Sequence, residues 1–147
     1  MDTTLVASVN NILVVENSQL KVTLAEGLIG CEMWREFVLE APHDLAPLMY
    51  LHSLDQADLT FIVTHPRYIL PLYHVDLSES DKKVLGNPTP AELATVVIVN
   101  SARRGEGQVV TANLLGPIMI NLTTGSGRQV IQPDHSARHL LSETPLC

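Results

Sequence analysis

Thr111-Ala112-Asn113-Leu114-Leu115-Gly116-Pro117-Ile118-Met119-Ile120-Asn121 decides how this chain is read. Two short apolar runs flank a Gly-Pro step, and an asparagine stands near each end of the block. Gly116 admits backbone angles closed to other residues, while Pro117 fixes its own φ and offers no N–H. Ile118-Met119-Ile120 reads as a buried strand, ended by Asn121 and a turn-rich run through Gly127. The block holds no nucleophile, metal cage or phosphate cradle. Its expected role is to hold a surface in shape, with Gly116-Pro117 as a surface-reaching corner between two strands. Asn113 and Asn121 would then form its polar rim.

Upstream of the block, Thr95-Val96-Val97-Ile98-Val99 is β-branched throughout, the pattern of a strand buried on both faces. Ser101–Gly107, with Arg103, Arg104 and Glu106 among turn residues, is expected to project as a solvent loop before a strand over Val109–Leu114. Gly125-Ser126-Gly127 turns the chain into a strand over Arg128–Ile131. In the first third, Thr4–Val9 and Ile12–Val15 are short strands separated by an Asn10-Asn11 turn. Gln19–Leu24 alternates, with Leu20, Val22 and Leu24 on one face and Lys21 and Thr23 on the other. Glu26–Glu32, with glycines three apart, lacks the third Gly and the Lys-Ser/Thr of a phosphate loop and reads as a structural turn. Strands follow at Arg35–Leu39, Leu48–Leu54 and Leu59–Thr64, and Leu70–Leu77 fits an irregular edge.

One helix is expected, Ser78 to Leu85, with Ser78 and Asp81 spaced as a capping box and Gly86 as its stop. Thr89-Pro90 opens a single helical turn. Closely spaced strands with little helix indicate a mainly β fold, a small antiparallel barrel or sandwich with one short capping helix. The 147 residues make one domain, with the first few residues and 141–147 expected to fray. A domain of this size hides about 68–70% of its unfolded surface. With aromatics at 4%, that core must be mostly aliphatic.

Cys31 and Cys147 form no metal or redox spacing, consistent with a reducing compartment. The N-terminus lacks a cationic n-region and no apolar run approaches the roughly 20 residues of a membrane helix. A soluble, cytoplasmic monomer without a membrane partner is the expectation. The net charge of −7 is uneven: residues 1–81 carry twelve acids against Lys21, Arg35 and Arg67, and residues 82–147 carry four acids against six bases. An acidic surface repels phosphate backbones, which argues against direct binding of nucleic acid and for a basic protein partner.

The chemical inventory is thin. His135 and His139 stand four apart, but no Glu lies where a zinc hydrolase would need it. His52, His65 and His74 lie on or beside different strands, so their convergence in a metal-binding barrel or enzyme is the rival reading. Ser53 neighbours His52 and Asp55, yet adjacent strand residues point to opposite faces. Cys31 follows glycines without a partner base and reads as a small buried residue. No catalytic residue and no cofactor is assigned.

The chain resembles the flagellar assembly factor FliW family. The resemblance is carried by Thr95–Val99 with the Asn113–Asn121 block and Gln129-Val130-Ile131, by Glu26-Gly27 with Gly30, and by Leu51–Leu54 with Leu59–Val63. Ser136 and Arg138 match a short motif near the family's end. The resemblance implies a small β-barrel-like, non-enzymatic module with two protein partners, flagellin and the RNA-binding translational repressor CsrA. By implication, the protein held by flagellin is released on flagellin export and then sequesters CsrA, freeing flagellin mRNA. The expected contact residues are Asn113, Leu115, Gly116, Pro117 and Asn121, with Glu26 and Asp55 as acidic contributors.

Overall fold

The computed structural model describes residues 5–9, 12–15, 19–105 and 107–145. Its strands are β1 (Leu5–Val9), β2 (Ile12–Val15), β3 (Gln19–Leu24), β4 (Glu36–Glu40), β5 (Leu48–Ser53) and β6 (Thr60–Thr64). After the helix α1 (Glu79–Val84) come β7 (Leu93–Arg104), β8 (Gly107–Ala112), β9 (Ile118–Asn121), β10 (Ser126–Gln129) and β11 (His139–Pro145). β1 and β2 form a separate antiparallel hairpin. The Asn10-Asn11 turn expected between them lies outside the described residues.

The other nine strands form one sheet in the order β11-β8-β7-β6-β5-β4-β3-β10-β9, and β9 pairs again with β7. That second pairing closes a seven-stranded barrel from β3, β4, β5, β6, β7, β9 and β10, so the mainly β expectation resolves to a barrel rather than a sandwich. Closure removes the exposed edges that a short-stranded sheet would otherwise present. One closing contact is parallel rather than antiparallel: Ser126 pairs with Thr23 and Gly127 with Leu24. It follows from a tight β9–β10 hairpin returning beside β3.

Alternation sets the barrel's inside. In β3, Val22 and Leu24 are buried and Lys21 and Thr23 exposed, and β4 and β5 bury Phe37, Leu39, Met49 and Leu51 in the same way. Ala94, Val96, Ile118, Ile120 and Leu122 complete an aliphatic core in which Phe37 is the largest fully buried side chain. Ala94 to Val97 are buried on both faces, because the Ile69–Tyr73 segment covers Val97 on the outside.

α1 closes a second small cluster through Leu85, Met119 and Val130. Ser78 is its N-cap: Ser78 Oγ accepts from Asp81 N–H (3.0 Å), and Asp81 Oδ2 accepts from Ser78 N–H (2.9 Å). Gly86 follows at φ 79° as the stop. At Pro90–Glu92 the chain makes a single 3₁₀ turn.

The 101–107 region departs from the solvent loop expected of it. β7 runs on through Arg104 and β8 begins at Gly107, so Arg103 belongs to a strand. Polar residues sit there because this part of the sheet lies beyond the barrel, where neither face must be apolar. The sequence after Gln132 supplies β11 against β8.

Candidate protein-binding site

β7 shows why the Asn113–Pro117 block exists. Its Leu93–Val96 half pairs with β9 and its Val99–Arg104 half with β8, along the same edge. Between Ala112 (opposite Val99) and Ile118 (opposite Val96) the partner chain carries five residues against two, an enlarged bulge. Most of its backbone groups are bonded within the protein. Asn113 N–H bonds Ile98 O (2.9 Å), Leu114 and Leu115 N–H share Ser136 O (3.0 and 3.1 Å), and Leu115 O accepts from Gln132 N–H (2.7 Å). Pro117 O accepts from Val130 N–H (3.0 Å). The Tyr73 hydroxyl donates to Leu114 O (2.5 Å), and burial pushes that phenol up to about 12.

The corner therefore does not reach the surface as expected. Gly116 and Pro117 are buried and Leu115 is half-buried. Gly116 does not occupy the left-handed region; it is glycine because a Cβ would stand 2.8 Å from Gln129 Nε2 and 3.3 Å from Asn113 Nδ2. Asn113 is half-buried, and its Oδ1 accepts from Gly116 N–H (2.9 Å). Asn121 is no rim either. It is 2% exposed; its Nδ2 donates to Leu85 O (2.8 Å) and its Oδ1 accepts from Thr123 N–H (2.9 Å). A buried amide must satisfy both ends internally, and this one ties the α1 exit to the β9–β10 turn.

The glycine turn after β3 supplies the exposed partner of this buried frame. Gly27 has φ +70°, and a Cβ there would land on the Glu32 backbone, so only glycine lets the chain fold back so tightly. Cys31 N–H closes onto Leu28 O (2.9 Å); Cys31 itself is half-buried against the core rather than fully buried. The turn leaves Ile29 58% and Met33 71% exposed.

β10 then joins turn and corner through adjacent side chains. Gln129 Oε1 accepts from Ile29 N–H (2.8 Å), and Gln129 Nε2 donates to Gly116 O (2.9 Å). Arg128 pairs with Glu26 through Nε (2.8 Å) and with Asp81 on α1 through Nη1 (3.3 Å). Between them opens a cleft of about 460 Å³ lined by Glu26, Gly27, Ile29, Glu32, Arg128 and Gln129. An apolar knob inside an acidic lip suits protein contact. It offers no nucleophile–base pair.

Glu26 thus stands at the cleft as an exposed acid, whereas Asp55 does not act as a free carboxylate. Asp55 Oδ2 accepts from Arg35 N–H (2.8 Å) and Glu36 N–H (2.9 Å), capping the entry to β4. The bond from Glu36, followed by that from Arg35, holds its carboxyl below the usual range. The Arg128–Gln129 clasp went unassigned from sequence, since neither residue type nor spacing names Glu26, Gly116 or Ile29 as its partners.

The histidines are dispersed over different structures. His52 faces outward on β5, bridging Thr60 Oγ1 (2.9 Å) and Glu40 Oε1 (3.0 Å). His65 is 7% exposed before the Pro66–Tyr68 turn, where its Nδ1 accepts from Arg67 N–H (3.0 Å). His74 pairs with Asp76 on an exposed segment (3.0 Å). Among the described residues no three His, Cys, Asp or Glu side chains gather as a metal would require. Ser53 points into the barrel, opposite to His52, and its Oγ accepts from Gln56 N–H (2.9 Å).

Fold and site together define a small closed β-barrel module with an open cleft between the glycine turn after β3 and β10. The FliW protein family model matches residues 7–141. The flagellar assembly factor FliW of Clostridium botulinum (strain Alaska E43 / Type E3) is 31% identical over 127 residues, covering 84% of this chain and 87% of that one. The FliW of Thermotoga neapolitana (strain ATCC 49049 / DSM 4359 / NBRC 107923 / NS-E) is 32% identical over 120 residues, covering 80% of each. The crystal structure of a flagellar assembly factor FliW superposes with a TM-score of 0.70 at 27% identity, covering 82% of this chain and 83% of that one. This chain belongs to the FliW family of flagellar assembly factors.

Proposed function

We propose that this protein is a cytoplasmic, monomeric, non-enzymatic regulator that binds flagellin and antagonises CsrA, coupling flagellin level to flagellin translation. Family membership supports the flagellar role. The observation that carries the mode of action is the Glu26–Gln129 cleft, which combines an exposed Ile29 with an acidic lip and is braced by Gln129 against the Gly116 bulge. A translational repressor that binds RNA must be basic, and twelve acids against three bases over residues 1–81 complement it. Asn113, Gly116 and Pro117 serve this surface from beneath, as its frame, and Leu115 from its half-buried flank.

The test is a gel-shift assay with flagellin leader RNA. The isolated protein leaves the RNA unshifted at micromolar concentration, releases RNA from a preformed CsrA–RNA complex, and loses that ability when flagellin is added. Glu26→Lys weakens the release and Ile29→Asp weakens it further. Direct, salt-sensitive RNA binding by the isolated chain, or release that flagellin does not reverse, overturns the reading.

A further inference from the structure

β7 outruns the barrel. Its even-numbered face is core at Ala94 and Val96 and packs on the core at Ile98, and the same face continues to Asn100 and Ala102, both exposed. β6 stops pairing at Val99, so β7, β8 and β11 extend from the barrel as a three-stranded flap. Register sets Thr111 opposite Asn100, Val109 opposite Ala102, and Leu140, 55% exposed, beside Thr111. Asn100, Ala102, Val109 and Thr111 floor a concavity of about 320 Å³ that Arg103 and Arg138 border.

Its electrostatics are opposite to those of the cleft. Both arginines are exposed and have no ion pair among the described residues, and no acid stands among the described residues that line the concavity. Arginine presents a planar fork of donors that fits a carboxylate in two parallel bonds. Asn100 and Thr111 add hydrogen-bonding groups beside small apolar side chains, and β11 has no further strand on its outer edge.

We propose that the flap is a second docking surface, for an extended acidic peptide segment of a protein partner, with a carboxylate of that segment seated at Arg138. Apolar side chains flanking the acid lie on Ala102, Val109 and Leu140. A nucleic acid is the poorer occupant. Two arginines neutralise at most two phosphates, a salt slope of only about −2, on a chain whose net charge is −7.

The experiment titrates the ¹⁵N-labelled full chain with the extended peptide acetyl-Val-Asp-Val-Asp-Val-amide and with its Asn-for-Asp twin. The acidic peptide shifts amides of β8 and of residues 138–140 saturably, and the neutral twin binds roughly three- to fivefold more weakly, the range of one exposed charge pair. Arg138→Gln weakens the acidic peptide by a similar factor and Arg103→Gln by less. Each variant's amide spectrum away from the flap reports that it is folded. Equal shifts from both peptides, indifference to Arg138→Gln, or tighter binding of a uridine hexanucleotide on the same amides overturns the proposal.

Discussion

Gly116→Ala puts a methyl carbon 2.8 Å from Gln129 Nε2 and 3.3 Å from Asn113 Nδ2, closer than van der Waals contact allows. The Gln129 amide cannot retreat without releasing what it holds, Gly116 O at 2.9 Å and Ile29 N–H at 2.8 Å. Each such bond contributes about 0.5–1.5 kcal/mol net. Ile29 is 58% exposed, so water replaces Gln129 there and its bond sits at the low end. Gly116 is buried, so its carbonyl stays dry and that bond sits at the high end. The substitution should cost about 1–3 kcal/mol, partly offset by about 0.4–1 kcal/mol from a stiffer unfolded chain. For a domain of this length each 1 kcal/mol lowers the melting temperature by about 2–4 °C. The decisive version is a double-mutant cycle. After Gln129→Ala the new methyl meets only the Asn113 amide at 3.3 Å, so Gly116→Ala becomes nearly neutral, and the coupling energy is about 1–2 kcal/mol. Urea unfolding followed by Trp34 fluorescence, with far-UV circular dichroism as second probe, measures all four corners. Additivity within about 0.5 kcal/mol would refute the clasp.

Asn121→Ala removes a buried amide from Leu85 O, Thr123 N–H and Thr124 N–H, and should cost about 1–3 kcal/mol in urea unfolding because the carbonyl of the fully buried Leu85 stays dry. A loss under about 1 kcal/mol would mean that water replaces it. Asp55 has a folded pKa depressed by the Glu36 and Arg35 amides, so its contribution is complete above the unfolded value of about 3.9 and fades as pH falls through the folded value. Asp55→Asn should therefore flatten the acid limb of the stability curve below about pH 5, read from urea midpoints, and an unchanged limb would sink the assignment. The same sign holds for Glu40, held down by its bond to His52, and for Glu92, held down by the Thr123 hydroxyl.

The parts of the fold that were legible in the sequence are those that local physics determines. Alternation in Gln19–Leu24 fixes which side chains enter the barrel, and the Ser78–Asp81 spacing fixes the start of α1 to the residue. Boundaries slipped where strands lie outside the barrel. At Ser101 to Arg103 a strand with both faces wet carries no apolar period, so polar residues ahead of Gly105 imitate a loop. The Gly-Pro step drew attention for a correct reason and an incorrect geometry. Glycine is needed at 116 for the closeness of Gln129 rather than for left-handed backbone, and a close approach depends on a neighbour that sequence alone does not name.

The candidate site was illegible for a related reason. Its central hydrogen bond, Ile29 N–H to Gln129 Oε1, joins residues 100 apart in the chain. Two residues of parallel pairing between β3 and β10 create that proximity, and they form only because β9 and β7 close the ring. Barrel closure thus acts on the surface as well as the core. It sets Glu26 against Arg128, sets Ile29 against Gln129, and links both through Gly116 to the bulge where the chain passes from flap to barrel. A substitution that loosens closure should be felt first in this cleft, since the residues that form its two walls lie 100 apart in the chain. The asparagines flanking the Gly-Pro step act through what they hold in place, Asn113 the Gly116 N–H and Asn121 the Leu85 carbonyl at the exit of α1.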